Sequence, residues 1–313
     1  MIKDFEQLRK SLKTPSNQRL AVAAATGVST LKAVCAARDK GIADAILVGD
    51  ERKMRQSAEE AELDLEGFEI RDVADPAAAA HEAVSAVSSG EASVYMKGYI
   101  HTSAFLRAAL DREVGLRSGH LLSHVFILDA KRLGRLLFVT DGALNIEPDL
   151  AAKAQIVSNA VSLAHHFGLD EPKVAVLSAV AAVKPTIPTT IDAASLSKMA
   201  DRDQIEGCIV DGPFALDNAL NPEAAAYKGI VSPVAGKADI VLVPNVETGN
   251  ILAKSFPHIA GGAMAGLVVG ATHPIVLPSR ADSLESKLMG IVAAVYQAQQ
   301  MTGDRLEVQT VHF

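Results

Sequence analysis

Residues 20–48, LAVAAATGVSTLKAVCAARDKGIADAILV, decide the fold. Residues 20–25 are an unbroken apolar run and read as a strand. Residues 29–40 read as a helix that Gly41 ends, and residues 45–48 read as a second strand. A strand, a helix and a strand in such close succession imply a βαβ unit and a mainly parallel sheet. Outward from this stretch the alternation continues. Residues 3–13 place Phe5, Leu8 and Leu12 on one helical face. A helix over 51–62, a strand over 68–73, a helix over 76–88, a strand over 93–96 and a helix over 102–111 complete a first array, roughly residues 18–115.

The texture then changes. Residues 121–128 and 135–139 are strand-like runs separated by 131–134, which reads as a hairpin connection, and a long helix follows at 150–167. A second α/β array follows, with strands at 173–180, 207–210, 240–243 and 267–269 and helices at 192–200 and 248–258. A strand at 275–277 leads into a last helix at 283–300, striped by Leu284, Leu288, Val292 and Val295.

Composition bounds what such a chain can do. Of 313 residues 49% are apolar, enough for a large core. Single cores rarely grow past about 250 residues, so two domains are expected. Net charge is −7, and no clustered Lys and Arg suggest a nucleic-acid or membrane partner. Mild acidity suits a cytoplasmic enzyme whose anion sites are local. The two cysteines, Cys35 and Cys208, are far apart in apolar settings and read as buried thiols, with no zinc-like spacing. The N-terminal stretch MIKDFEQLRKSLK is charged throughout and is not expected to be a signal peptide.

Parallel α/β sheets bind ligands at the carboxyl ends of their strands, so strand-to-loop junctions are where chemistry is expected. Four stand out. Lys97-Gly98, followed by His101-Thr102-Ser103, can meet a phosphate or a carbonyl, or can be a plain βα turn. Asp211-Gly212-Pro213 with Asp217-Asn218 reads first as turn and capping chemistry. The segment Pro244-Asn245-Val246-Glu247-Thr248-Gly249-Asn250 leaves a strand and opens a helix whose free N–H groups favour anions. Leu277-Pro278-Ser279-Arg280-Ala281-Asp282-Ser283 brings a hydroxyl, a guanidinium and a helix start together, a good phosphate or oxyanion site. Asp282 with Glu285 three residues on reads as a capping pair. Arg117, in the flexible Gly-rich loop before Leu121-Leu122-Ser123-His124, is a further candidate for an anionic ligand, whereas Arg107 and Arg112 read as a solvated helix face. Neither a dinucleotide fingerprint nor a P-loop is present.

In this order the junctions resemble the phosphate acetyltransferase and phosphate butyryltransferase family. The resemblance is carried by MKGYIHTSAFLRAAL (96–110), GLRSGHLLSHV (115–125), AVLSAV (175–180), VDGPFALDNALNPEAAAYKGI (210–230), KADIVLVPNVETGNILAK (237–254) and LPSRADS (277–283). The wording of LLSHV, DGPFALDNA and SRADS is closer to the butyryl-type branch. The resemblance implies an α/β fold of two α/β domains around a cleft, related to the isocitrate and isopropylmalate dehydrogenases. Its first domain would be 1–122 plus a returning C-terminal segment, 270–313; the second, 123–269, would join a homodimer. It implies the exchange of acyl-CoA plus phosphate for acyl phosphate plus CoA, with coenzyme A as substrate and no metal or redox cofactor required. Carried over residue by residue, the family's catalytic Ser-Arg pair falls on Ser279 and Arg280, with Asp282 as a candidate stand-in for the base. The acetyl-type base Asp, seven residues after the Ser, is replaced here by Ser286. Lys97, Arg117, Asp211, Asn250 and Lys254 are the expected substrate-binding residues for CoA or phosphate. Two rivals stay open: a metal-dependent hydroxyacid dehydrogenase of the related fold, and an acyl-CoA-binding regulator without catalysis.

Overall fold

Acidic and amide residues start many of the helices, and apolar runs between them become the buried strands. A computed structural model describes residues 1–301, so the end of the expected 270–313 segment lies outside the described residues. The described chain divides into two units: Glu6–Gly119 with residues 265–301, and Met1–Phe5 with His120–Met264.

In chain order the first stretch contains α1 (Phe5–Lys10), β1 (Arg19–Ala23), α2 (Val28–Asp39), β2 (Asp44–Gly49), α3 (Glu51–Glu60), β3 (Glu69–Asp72), α4 (Pro76–Ser88), β4 (Val94–Lys97) and α5 (Thr102–Ala109). Asp50 caps α3 by accepting the Lys53 amide at 3.0 Å, and Asp75 caps α4 by accepting that of Ala78 at 2.8 Å. Each satisfies a donor that the helix itself leaves free. Next come β5 (Ser123–Ala130), β6 (Arg135–Thr140), α6 (Leu150–His166), β7 (Lys173–Leu177), α7 (Pro188–Ala200), β8 (Ile209–Phe214), α8 (Leu216–Leu220), α9 (Pro222–Tyr227), β9 (Ile240–Leu242) and α10 (Val246–Ile259). The chain then adds β10 (Met264–Val269), β11 (Ile275–Val276) and α11 (Leu284–Gln300).

The first unit orders its strands β3-β2-β1-β4-β11-β10. All neighbours are parallel except β10 and β11. The sheet is thus mainly parallel, as expected; the antiparallel β10–β11 pair is joined by a short turn that passes through Gly270 at φ 85. Tyr95 stacks on Phe105 with ring centroids 4.2 Å apart and donates its hydroxyl to the Ala80 carbonyl at 3.1 Å, tying β4 to α4 and α5. Helix α11 is buried from Ser286 through Gln299. Leu288, Val292 and Val295 lie inside as the stripe requires, but Leu284 is exposed because it is the first residue of the helix. Fully burying such side chains contributes roughly 1.5–3 kcal/mol each.

The second unit orders its strands β5-β6-β9-β7-β8, parallel apart from the β5–β6 hairpin. The hairpin turn closes at Gly134, whose φ of 64 is the left-handed conformation glycine adopts readily. Phe126, Leu137, Val139, Leu177, Phe214, Val241 and Met264 share one core. The short helices α8 and α9, of 5 and 6 residues, were not expected, because neither is long enough to repeat a 3.6-residue pattern. Cys35 is buried as expected, whereas Cys208 is only half-buried.

A close backbone approach fixes where β4 leaves the sheet. Gly98 and Tyr99 donate their amides to the carbonyls of Ala23 and Ala24 at 2.9 and 2.8 Å, so the end of β4 is pressed against β1. A Cβ on Gly98 would lie 2.4 Å from the Ala24 oxygen and 2.5 Å from that of Ala23. Both are backbone atoms and cannot swing aside. Gly98→Ala is therefore expected to cost about 1–3 kcal/mol, read as a lowered urea midpoint at unchanged m-value.

Candidate active site

Parallel pairing of β4 with β11 matches Tyr95 to Ile275 and Met96 to Val276. Continuing that register sets residue 277 beside Lys97, and the chain then turns through residues 278–283 into α11. Four charged groups gather here. The Asp282 carboxylate accepts the Ser279 amide at 2.7 Å through Oδ2. The Ser279 hydroxyl accepts the Ala281 amide at 3.4 Å. Lys287 Nζ donates to the carbonyls of Arg280, at 3.4 Å, and Asp282. The Arg280 guanidinium, on an exposed residue, lies 4.8 Å from the centre of the Tyr99 ring.

The capping assignment needs correction. The N-cap of α11 is Ser283, whose hydroxyl accepts the Ser286 amide at 3.1 Å and donates to Ser286 Oγ at 3.1 Å. Asp282 stands one residue too early to cap, and its carboxylate closes the turn on Ser279 instead. Ser286 is buried within this cap.

Lys97 is 4% exposed and Lys287 2%, and among the described residues neither forms an ion pair. Burial lowers the Lys97 pKa, Arg280 and Lys287 lower it further, and Asp282 opposes them. Burial also lowers that of Lys287, against the pull of Asp282. Lys287 and Tyr99 were missed from sequence. A lysine directly before the apolar run that opens at Leu288 was the available signal for Lys287. A cavity of about 760 Å³ opens beside the turn, at the carboxyl ends of β1 to β4. Thr26, Gly27, Lys53, Tyr99, His101 and Arg280 are among its walls.

The other candidates lie elsewhere. Arg117 is exposed in the first unit. Its loop is held rather than flexible: Arg117 bridges to Ala271, Leu116 accepts the Thr272 amide at 2.9 Å, and Ser118 donates to the Gly270 carbonyl. A Cβ on Gly115 would meet Asp111 backbone atoms at 2.3 Å. Asp211 in the second unit accepts its neighbour Gly212's amide at 2.7 Å and the Ser197 hydroxyl at 3.4 Å, which is turn chemistry. Asp217 pairs with Lys228 at 3.1 Å. Lys254 is exposed on α10. Asn250 donates to the Gly142 carbonyl at 3.2 Å, and Gly142 and Gly249 approach so closely that a Cβ on Gly249 would lie 2.6 Å from Gly142 Cα.

That contact belongs to a polar knot that sequence reading passed over. Buried Asp141, just past β6, accepts amides of Ala143, Leu144 and Asn145 at 2.9, 3.0 and 3.2 Å, and the Asn145 side chain at 2.7 Å. Its neighbour His124 is 1% exposed, and Nδ1 has no hydrogen-bond partner among the described residues. An acid followed by glycine at the end of an apolar strand was the available signal.

Together these observations define an α/β protein in which a strand end and a helix start present a turn carrying a hydroxyl and a guanidinium. The chain belongs to the phosphate acetyl/butaryl transferase family, whose model matches residues 5–80 and 76–295. A phosphate butyryltransferase of Clostridium beijerinckii is 46% identical over 95% of this chain and 99% of its own length. A phosphate acetyltransferase of Rhizobium meliloti is 48% identical over 84% of each. Among solved structures, a branched-chain phosphotransacylase from Enterococcus faecalis superposes with a TM-score of 0.80 at 34% identity, covering 90% of this chain and 99% of that one. Likeness of fold alone extends to a 4-hydroxythreonine-4-phosphate dehydrogenase from Klebsiella pneumoniae. It superposes with a TM-score of 0.51 at 13% identity, covering 91% of this chain and 100% of that one. No helix among the described residues is long and apolar enough to cross a membrane.

Burial pushes the His124 pKa down to about 4, against the nearby charge of Asp141. The folded protein thus holds His124 neutral where the unfolded chain, with an imidazole near about 6.5, would protonate it. Stability from this group is complete above about pH 6.5 and is lost as pH falls toward about 4. Its share of the slope is at most about 1.4 kcal/mol per pH unit. Urea midpoints measured across that window should fall with acidification, and more steeply for wild type than for His124→Phe.

Proposed function

We propose that this protein is an acyltransferase that interconverts a short-chain acyl-CoA plus phosphate and an acyl phosphate plus CoA. One observation carries the reading: a fixed turn sets the Arg280 guanidinium in the wall of a cavity, one residue after the Ser279 hydroxyl, with the Asp282 carboxylate holding the Ser279 amide. Transfer of an acyl group between sulfur and oxygen passes through a tetrahedral oxyanion, and donors placed for that charge lower the barrier. In this reading Ser279 and Arg280 hold the phosphoryl group and the developing oxyanion, and Asp282 positions Ser279. Lys97, Arg117, Asn250 and Lys254 remain the groups for CoA or phosphate, and Asp211 serves through its turn. The reaction as drawn uses no metal or redox cofactor.

The named relatives support the reaction class, and they include butyryl, acetyl and branched-chain enzymes. The acyl pocket therefore belongs to the reading only as a short-chain one, since one methylene changes discrimination by about 1–3 kcal/mol. A layout of two α/β domains, 1–122 with 270–313 and 123–269, akin to the isocitrate and isopropylmalate dehydrogenases, is part of the proposal. So are a homodimer and a cytoplasmic location.

A thiol-release assay with acetyl-, propionyl-, butyryl- and isobutyryl-CoA, run with and without phosphate, tests it. CoA release that requires phosphate supports acyl exchange; phosphate-independent release, or none with any of the four, defeats it. Ser279→Ala and Arg280→Ala should each lower turnover by about tenfold or more while leaving the thermal midpoint in place. Wild-type rates in both variants would remove the proposed site.

A further inference from the structure

Of the four charged side chains at the turn after β11, three are committed. Asp282 Oδ2 holds the Ser279 amide, Lys287 Nζ is bonded to two backbone carbonyls, and the Arg280 guanidinium lies over Tyr99. Lys97 is the fourth. It ends β4 at 4% exposure and makes no hydrogen bond or ion pair among the described residues. Burial of a lysine favours its neutral form. The charged groups acting on Lys97 are Arg280 and Lys287, which discourage its protonation, and Asp282, which encourages it.

A proton carrier is also what the chemistry lacks. Ser286 occupies the position where the resemblance places a base, and its hydroxyl is engaged by Ser283 in the helix cap. Residue 277 lies beside Lys97 in continued register, two residues before Ser279, and the amine is within electrostatic reach of Arg280, Asp282 and Lys287.

We propose that Lys97 is a catalytic residue that carries the proton between the sulfur of CoA and the phosphate oxygen leaving the acyl carbon. This rests on the acyl-exchange reading of the same site. In the direction of thioester formation the neutral amine takes the thiol proton. The sulfur lone pair forms the C–S bond, and the tetrahedral oxyanion is held by Ser279 and Arg280. As it collapses the C–O bond to phosphate breaks, and the Lys97 ammonium returns the proton to that departing oxygen. Sulfur has lost one proton and phosphate has gained it, so the amine ends as it began. The reverse reaction retraces each step.

The test monitors butyryl phosphate plus CoA with wild type, Lys97→Arg and Lys97→Met, each checked for folding by circular dichroism and thermal melting. Arginine keeps the positive charge for anion binding but cannot release a proton. Lys97→Arg should hold its KM for butyryl phosphate within about threefold and lose about 10²-fold or more in kcat. Wild-type kcat should fall on the acid side as the amine protonates, and that limb should be absent from the residual activity of Lys97→Arg. A Lys97→Arg kcat within about threefold of wild type overturns the assignment, and so does a loss confined to KM, which would make Lys97 an anion ligand only. A wild-type kcat that is flat between about pH 6 and about pH 10 overturns it with no variant needed. Should wild type exchange none of the acyl groups, the acyl-exchange reading itself fails; should it exchange them with Lys97→Arg fully active, only this inference fails.

Discussion

The hydrogen bonds from the buried Lys287 ammonium to the carbonyls of Arg280 and Asp282 are the constraint on which the site depends. An ammonium taken from water needs partners, and here the backbone of the turn supplies them. The bond from the Ser279 amide to Asp282 closes the turn from its other side. With its backbone bonded within the protein, the turn holds the Ser279 hydroxyl against the Ala281 amide and the Arg280 guanidinium over the Tyr99 ring. Preorganised donors of this kind are effective because they need no rearrangement when charge develops.

The sheet supplies the location. Strands β1 to β4 run parallel, so their carboxyl ends and the helix starts that follow them converge on one rim, and the cavity lies there. Free helix N–H groups face such a rim and make it hospitable to anions. The absence of a side chain at Gly98 lets β4 press against β1, which fixes where Lys97 ends. With a net charge of −7 the chain has no basic surface, and its cationic groups at this rim are placed by local geometry.

Much of this was legible beforehand, for identifiable reasons. The apolar runs and helical spacings of residues 18–115 are local signals, and strand and helix follow them closely. Ser279 and Arg280 stood out because a hydroxyl and a guanidinium after a strand have few structural duties. Asp282 and Ser283, by contrast, are adjacent and both belong to the capping alphabet. Which of them caps depends on which can reach the free Ser286 amide, a matter of one residue's backbone direction. Arg117 misled in a similar way: its flanking glycines suggested mobility, yet its loop is held by residues 270–272, distant in sequence. Helices α8 and α9 are too short to carry a period.

The sequence by itself determined the alternating α/β class, the apolar core segments and the chemical vocabulary of the turn, because periodicity and residue type are local properties. Only the tertiary structure decided that Lys287 braces the turn from within α11, that Lys97 ends beside it, buried and with no ion pair among the described residues, and that Asp211 serves its own turn. Those outcomes depend on which strands become neighbours and on which charges lose water. Both are set by burial among residues far apart in the chain, and no local pattern encodes them.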